Sequence, residues 1–200
     1  MLLEVLFLLG CNDGAVGEGE EGDDPAECTD GEDNDADGEI DCDDLGCASV
    51  CDGESYGTVL INEFMASNDT TVAAEEDGGF YDWFELYNPG DETVNLGGWT
   101  VTDDLAVPDK YPLSDELELA PGDFIVLWAS DNEEELGAYH VGFHMAKEGE
   151  DLAVYRPDGS PSDELQYQAQ ATDLSAARVP DGSSTWEITE NATPGESNGE

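Results

Sequence analysis

Basic residues are almost missing. The chain of 200 residues has 4 Lys+Arg against 51 Asp+Glu, a formal net charge of −47. Nucleic-acid binding draws its affinity from Lys and Arg that displace phosphate counterions. Adhesion to an anionic lipid surface needs the same residues. Both are excluded here, whereas divalent cations that prefer oxygen ligands are attracted. Long apolar runs are missing too. The N-terminal one ends at Gly10, short of the ~20 residues a helix needs to cross a bilayer. Before residue 58 the aromatics reduce to Phe7 and Tyr56, and after Cys51 there is no cysteine. A conventional core is therefore excluded from the first part of the chain, and disulfides from the second.

What is present falls into zones. Residues 1–10 are apolar; residues 12–57 hold 18 acidic residues and no basic one; residues 58–200 hold 32 acidic residues and all 4 basic ones, with most of the aromatics. The acidic zone has too little apolar surface to offset its ordering entropy. It needs cross-links or metal to become ordered. Residues 1–10 have the length of a signal-peptide apolar region. Leu8-Leu9-Gly10-Cys11 resembles the bacterial lipobox, which implies cleavage after Gly10, lipidation of Cys11 and a membrane anchor, with 11–27 as an acidic flexible tether. Buried acyl carbons contribute ~0.8 kcal/mol per CH₂, so more than one chain anchors stably. With Cys11 lipidated, Cys28, Cys42, Cys47 and Cys51 remain. An even set this close in an exported chain reads as two disulfides, with three pairings open. The competing four-cysteine zinc site lacks a Cys-x-x-Cys knuckle.

Within this segment, 28–57, the residues from Asp33 to Asp44 match a calcium loop position by position. Asp33, Asp35, Asp37, Asp41 and Asp44 fall at loop positions 1, 3, 5, 9 and 12. Gly38 stands at the sharp turn, Ile40 at the apolar eighth position, and Glu39 contributes its backbone carbonyl at the seventh. The cofactor expected is Ca²⁺. No amphipathic helix flanks the loop, so it resembles the Asp-rich loops of thrombospondin type 3 repeats and dockerins more than a paired EF-hand.

From residue 58 onward short apolar runs alternate with turn residues. Candidate strands are 58–65, 83–88, 99–102, 124–128, 152–155, 164–167 and 186–189, rich in β-branched and aromatic residues. A short helix is possible at 131–138. Pro-Gly and Asp-Gly turns such as 121–123, 157–159 and 180–182 separate the runs. The pattern predicts an all-β sandwich or barrel. Leu60-Ile-Asn-Glu-Phe-Met-Ala-Ser-Asn68, Asp82-Trp-Phe-Glu-Leu-Tyr-Asn88, Val94 through Trp99, Pro121 through Trp128, Ala177 through Gly182 and Thr193 through Asn198 resemble a lamin tail domain. The resemblance covers 58–198 and implies an immunoglobulin-like β-sandwich with Trp99, Phe84, Leu86 and Ile125 in its core. It transfers fold more than function.

Enzyme-like features are sparse. Gly53-x-Ser55-x-Gly57 matches a nucleophile elbow by letter only, since a strand follows the serine where a helix is needed. His140 and His144, the only histidines, sit among strand-type residues. Asn62, Glu63, Asn68, Asp77, Asp82 and Glu85 cluster around the first hairpin. They read as hydrogen-bonding groups, with a cation site at Asp77 and Asp82 or paired carboxylates for glycoside hydrolysis as the sharper readings. The function implied is a non-enzymatic, lipid-anchored protein exported to the cell envelope, at the outer membrane or cell surface. It would present a β-sandwich on an acidic calcium-binding stalk to a protein or glycan. The alternative is an accessory module of a metal-dependent hydrolase, or a weak hydrolase itself. A third reading takes the acidity as adaptation to salt or as a solubility device.

Overall fold

The computed structural model describes residues 56–75, 77–130 and 136–199. Cys11, the four cysteines Cys28 to Cys51, Ser55 and the whole calcium loop from Asp33 to Asp44 lie outside the described residues, as does most of the 131–138 segment. Among the described residues there are twelve strands, β1 (Leu60–Met65), β2 (Asp82–Tyr87), β3 (Val94–Asn95), β4 (Thr100–Thr102), β5 (Tyr111–Pro112), β6 (Glu118–Leu119), β7 (Phe124–Ala129), β8 (His140–Val141), β9 (Asp151–Tyr155), β10 (Pro161–Gln166), β11 (Ser175–Arg178) and β12 (Trp186–Thr189).

All seven predicted strands are present, with no end shifted by more than three residues. Five strands were not predicted. Four of these, β3, β5, β6 and β8, are two-residue pairings too short to carry a period. The fifth, β11, reads Ser-Ala-Ala-Arg, a composition depleted in strands. Its strand conformation comes from its position between β1 and β12, where all four residues are buried.

Six strands form one sheet in the order β12-β11-β1-β2-β7-β8, and four form a second in the order β10-β9-β4-β5; β3 and β6 pair separately. The two main sheets enclose the larger core. Phe64, Phe84, Leu86 and Leu127 come from the first, and Val101, Leu152 and Val154 from the second. Trp99, Phe84 and Leu86 are fully buried in it and Ile125 nearly so, as the sequence implied. Burying side chains of this size contributes about 1.5–3 kcal/mol each. This is an all-β, immunoglobulin-like sandwich.

The six-stranded sheet is covered on its other face as well. Met65, Trp83 and Trp128 lie side by side across β1, β2 and β7 and form a second buried cluster with Ala74. Hence β1 and β2 are buried along nearly their whole length. Polar side chains on that outer face are buried with the rest, and this decides the character of Asn62, Glu63 and Glu85.

Candidate functional site

Glu63 and Glu85 are register partners across β1 and β2, and both are completely buried. Two carboxylates opposite each other repel when ionised. Each is met by backbone donors of the C-terminal segment. Thr193 N donates to Glu63 Oε2 at 3.0 Å and Gly195 N to Glu85 Oε2 at 2.6 Å. Asn62 sits at a β-bulge between the two registers of β1. Its Nδ2 donates to Glu85 Oε1 at 3.1 Å and to Asp181 Oδ1 at 3.0 Å, while Gly182 N donates to its Oδ1 at 2.9 Å. Asp181 also accepts from Asn198 N at 3.0 Å and from the Ser197 hydroxyl. The network fastens 193–198 over the outer face of the sheet. Burial pushes the Glu85 carboxyl up to about 8, against the hydrogen bonds from Gly195 and Asn62. Burial also raises Glu63.

This arrangement bears on the carboxylate chemistry considered from sequence. A glycosidase pair faces a cleft. Glu85 has no exposed surface, and both its oxygens are taken by protein donors. Asp77 and Asp82, the candidate cation pair, have separate partners. Asp77 accepts from Gly79 N and the Tyr81 hydroxyl. Asp82 accepts from Asn68 N, and Asn68 Nδ2 in turn braces the carbonyls of Val72 and Tyr81. Among the described residues no group of three or more His, Cys, Asp or Glu is placed to hold a metal. The histidines part company: His140 is buried beside Trp128 with Nδ1 2.9 Å from Ser130 Oγ, and His144 is exposed.

Beside β12, at the end of the six-stranded sheet, the core is not sealed. A groove of about 440 Å³ opens there, lined chiefly by Phe64, Tyr167, Leu174, Ala176, Trp186 and Ile188. Phe64 forms its floor, 4.9 Å from the ring of Tyr167 and 5.4 Å, edge-on, from Trp186. Arg178 covers Trp186 at 4.5 Å and is held by Ile61 O at 2.8 Å and Asp163 Oδ2 at 2.9 Å. Residues 165–171 form the opposite wall. They are fixed by Tyr167 N to Glu150 O at 3.0 Å, Gln170 N to Lys147 O at 2.9 Å, and Ala66 N to Gln170 Oε1 at 2.7 Å. The Tyr167 hydroxyl lies 2.8 Å from Glu150 Oε1, and burial raises its pKa, with that hydrogen bond acting in the same sense. Ile188 is 64% exposed at the lip. The groove is thus apolar, preformed and open, which suits an inserted apolar side chain.

The wall depends on Gly149. Its φ is +102°, and a Cβ there would stand 2.6 Å from Tyr167 O. Gly149→Ala is expected to displace the wall and cost about 2 kcal/mol, read as a lower urea midpoint at unchanged slope. An unshifted midpoint would show the wall to be compliant.

Sequence reading identified Trp186 to Thr189 as a strand but not the groove, and passed over Leu174 and Ala176. The alternation of Trp186, Glu187 and Ile188 signals one apolar face. That this face is left partly uncovered depends on where residues 165–171 lie, 15 or more positions away in sequence.

The family model for the lamin tail domain matches residues 53–171, more than half of the chain. Strands β11 and β12 follow that span and complete the same six-stranded sheet. No curated protein matches the chain.

Proposed function

The chain belongs to the lamin tail domain family, and from this premise we propose that it is a non-enzymatic binding protein whose sandwich contacts a protein or glycan partner through the groove at β12. The family's immunoglobulin-like fold is that of a binding or structural module. The observation that carries the reading is the open apolar groove over Phe64, with Ile188 exposed at its lip. Monomeric surfaces keep large contiguous apolar patches for contacts. With 32 acidic and 4 basic residues from 58 onward, this domain does not bind phosphate backbones.

The rest of the proposal concerns residues before 56. Cys11 carries a lipid anchor in the cell envelope, at the outer membrane or cell surface, and 11–27 is the tether. Ca²⁺ held by Asp33, Asp35, Asp37, Asp41, Asp44 and the Glu39 carbonyl orders the segment cross-linked through Cys28, Cys42, Cys47 and Cys51. The support is the loop spacing and the −47 charge, which lowers the cost of taking up a divalent cation.

Two measurements test this. Intact chain and its Ile188→Asp variant are applied to arrays of oligosaccharides and peptides. Binding that Ile188→Asp lowers about tenfold or more supports the groove, by loss of apolar burial and addition of charge; binding indifferent to the change refutes it. For the stalk, limited proteolysis of the intact chain with Ca²⁺ should cut residues 28–52 more slowly than with chelator. Equal rates would sink the calcium assignment.

A further inference from the structure

The partner's chemistry is written in β12. This strand ends the six-stranded sheet. In the β11–β12 ladder Val179 N donates to Thr185 O at 3.0 Å. Antiparallel pairs alternate between bonded and non-bonded, so the pairs 177/187 and 175/189 carry the ladder bonds. The N–H and C=O of Trp186 and Ile188 therefore point away from β11, along the sheet edge. The side chains of the same two residues line the groove, and Glu187 between them is exposed on the other face. Glu190 follows, also exposed. Natural edge strands are commonly blunted by Lys, Pro or a bulge; β12 has neither Lys nor Pro and pairs with β11 in continuous register.

We propose that the groove takes an extended, basic peptide segment that adds to β12 as an antiparallel strand, with alternate apolar side chains in the groove and Lys or Arg facing Glu187. This rests on the groove reading above and names its partner. Strand addition puts affinity in the main-chain bonds and specificity in alternate side chains. Residues opposite Trp186 and Ile188 would use their N–H and C=O toward β12, and their side chains fall on the groove face. The residue between them stands opposite Glu187, at the closer cross-strand distance, where opposite charges attract.

Charge complementarity selects among occupants. The groove-lining residues include no charged side chain; Arg178 over Trp186 is paired with Asp163, Glu150 is bonded to the Tyr167 hydroxyl, and the exposed acids of the β12 edge are Glu187 and Glu190. A second copy brings a further −47, and like charge opposes its approach. The chain's own residues 12–57 have 18 acids and no base, so they cannot supply the cation opposite Glu187. A separate basic chain meets each requirement. A glycan offers neither the strand ladder nor the positive charge.

The test uses the intact, uniformly ¹⁵N-labelled chain at physiological salt and a capped alternating lysine–valine octapeptide. The amides of Trp186, Glu187 and Ile188 should shift. N-methylation of the valines should weaken binding roughly tenfold or more, by removing the ladder donors, whereas N-methylation of the lysines should not. Glu187→Lys, an exposed change, should also weaken it. A peptide with four lysines followed by four valines controls for bulk attraction. If it binds equally well, or if methylated valines bind as the parent does, strand addition is overturned. Should oligosaccharides shift those amides and the peptide not, the peptide assignment falls while the groove stands as a binding site. If no probe shifts them, both fall.

Discussion

Asn62→Ala is expected to destabilise the protein by about 4 kcal/mol, a drop of roughly 10 °C in melting temperature for a chain of this size. The side chain makes three hydrogen bonds at a fully buried position, to Glu85, to Asp181 and from Gly182 N. Removing it leaves a buried carboxyl oxygen of Glu85 and the half-buried Gly182 N–H without their partner, each costing about 1–3 kcal/mol. The cavity adds to that. Asn62→Asp should be worse, because it sets a third acid between Glu85 and Asp181. Urea unfolding at pH 7 ranks the two; a loss under about 1 kcal/mol for either would show that the network is plastic. Hydrogen exchange adds a local reading. The amides of Thr193, Gly195 and Asn198, which donate to Glu63, Glu85 and Asp181, should lose protection before those of β7.

Stability should fall as pH rises from about 5 to about 8, by several kcal/mol. The Glu85 carboxyl is raised to about 8 in the folded protein, against roughly 4.3 for an unfolded glutamate. Between these values the folded state holds a proton that the unfolded state has released. Its contribution is complete below the unfolded pKa and is lost as pH rises through the folded one. A tenfold difference in proton affinity between the two states is worth about 1.4 kcal/mol, which gives about 4 kcal/mol as an order of magnitude. Glu63, raised by burial as well, adds in the same direction. Asp77, Asp158 and Asp173, lowered by hydrogen bonds from nearby donors, act oppositely: their contribution holds above the unfolded carboxylate range and is lost as pH falls. Maximum stability is therefore expected near pH 5. Glu85→Gln mimics the protonated acid and should flatten the decline between pH 5 and 8. The variant is also predicted to be the more stable of the two at pH 9. A variant whose pH profile parallels the parent's would locate the dependence elsewhere, in the general repulsion of so many carboxylates.

These two results concern a closed device, and the groove an open one; both lie on β1 and its neighbours. From Leu60 to Met65 the strand carries Phe64 to the inner face, where it floors the groove, and Glu63 to the outer face, where it holds the C-terminal segment. A period of two separates the roles.

Seven of the strands and the turns between them were legible from residues alone, whereas the core positions of Trp99, Phe84, Leu86 and Ile125 came from the family resemblance. The information is local: β-branched and aromatic runs state a strand, and Pro-Gly or Asp-Gly states its end. For β11 that rule fails, because Ser-Ala-Ala-Arg has no intrinsic preference for extension and is held there by neighbours on both sides. The polar residues of the first hairpin stood out in sequence, but nothing there told Glu85, buried opposite another carboxylate, from Asp77, which is exposed.

Composition by itself settled the charge, and local pattern settled the all-β class. Tertiary structure alone decided which acids would be buried and where the sandwich would stay open. Asn62 meets Asp181, Glu63 meets Thr193 and Ala66 meets Gln170 across more than 100 residues. Such pairings depend on chain closure and sheet order, which no window of neighbouring residues encodes.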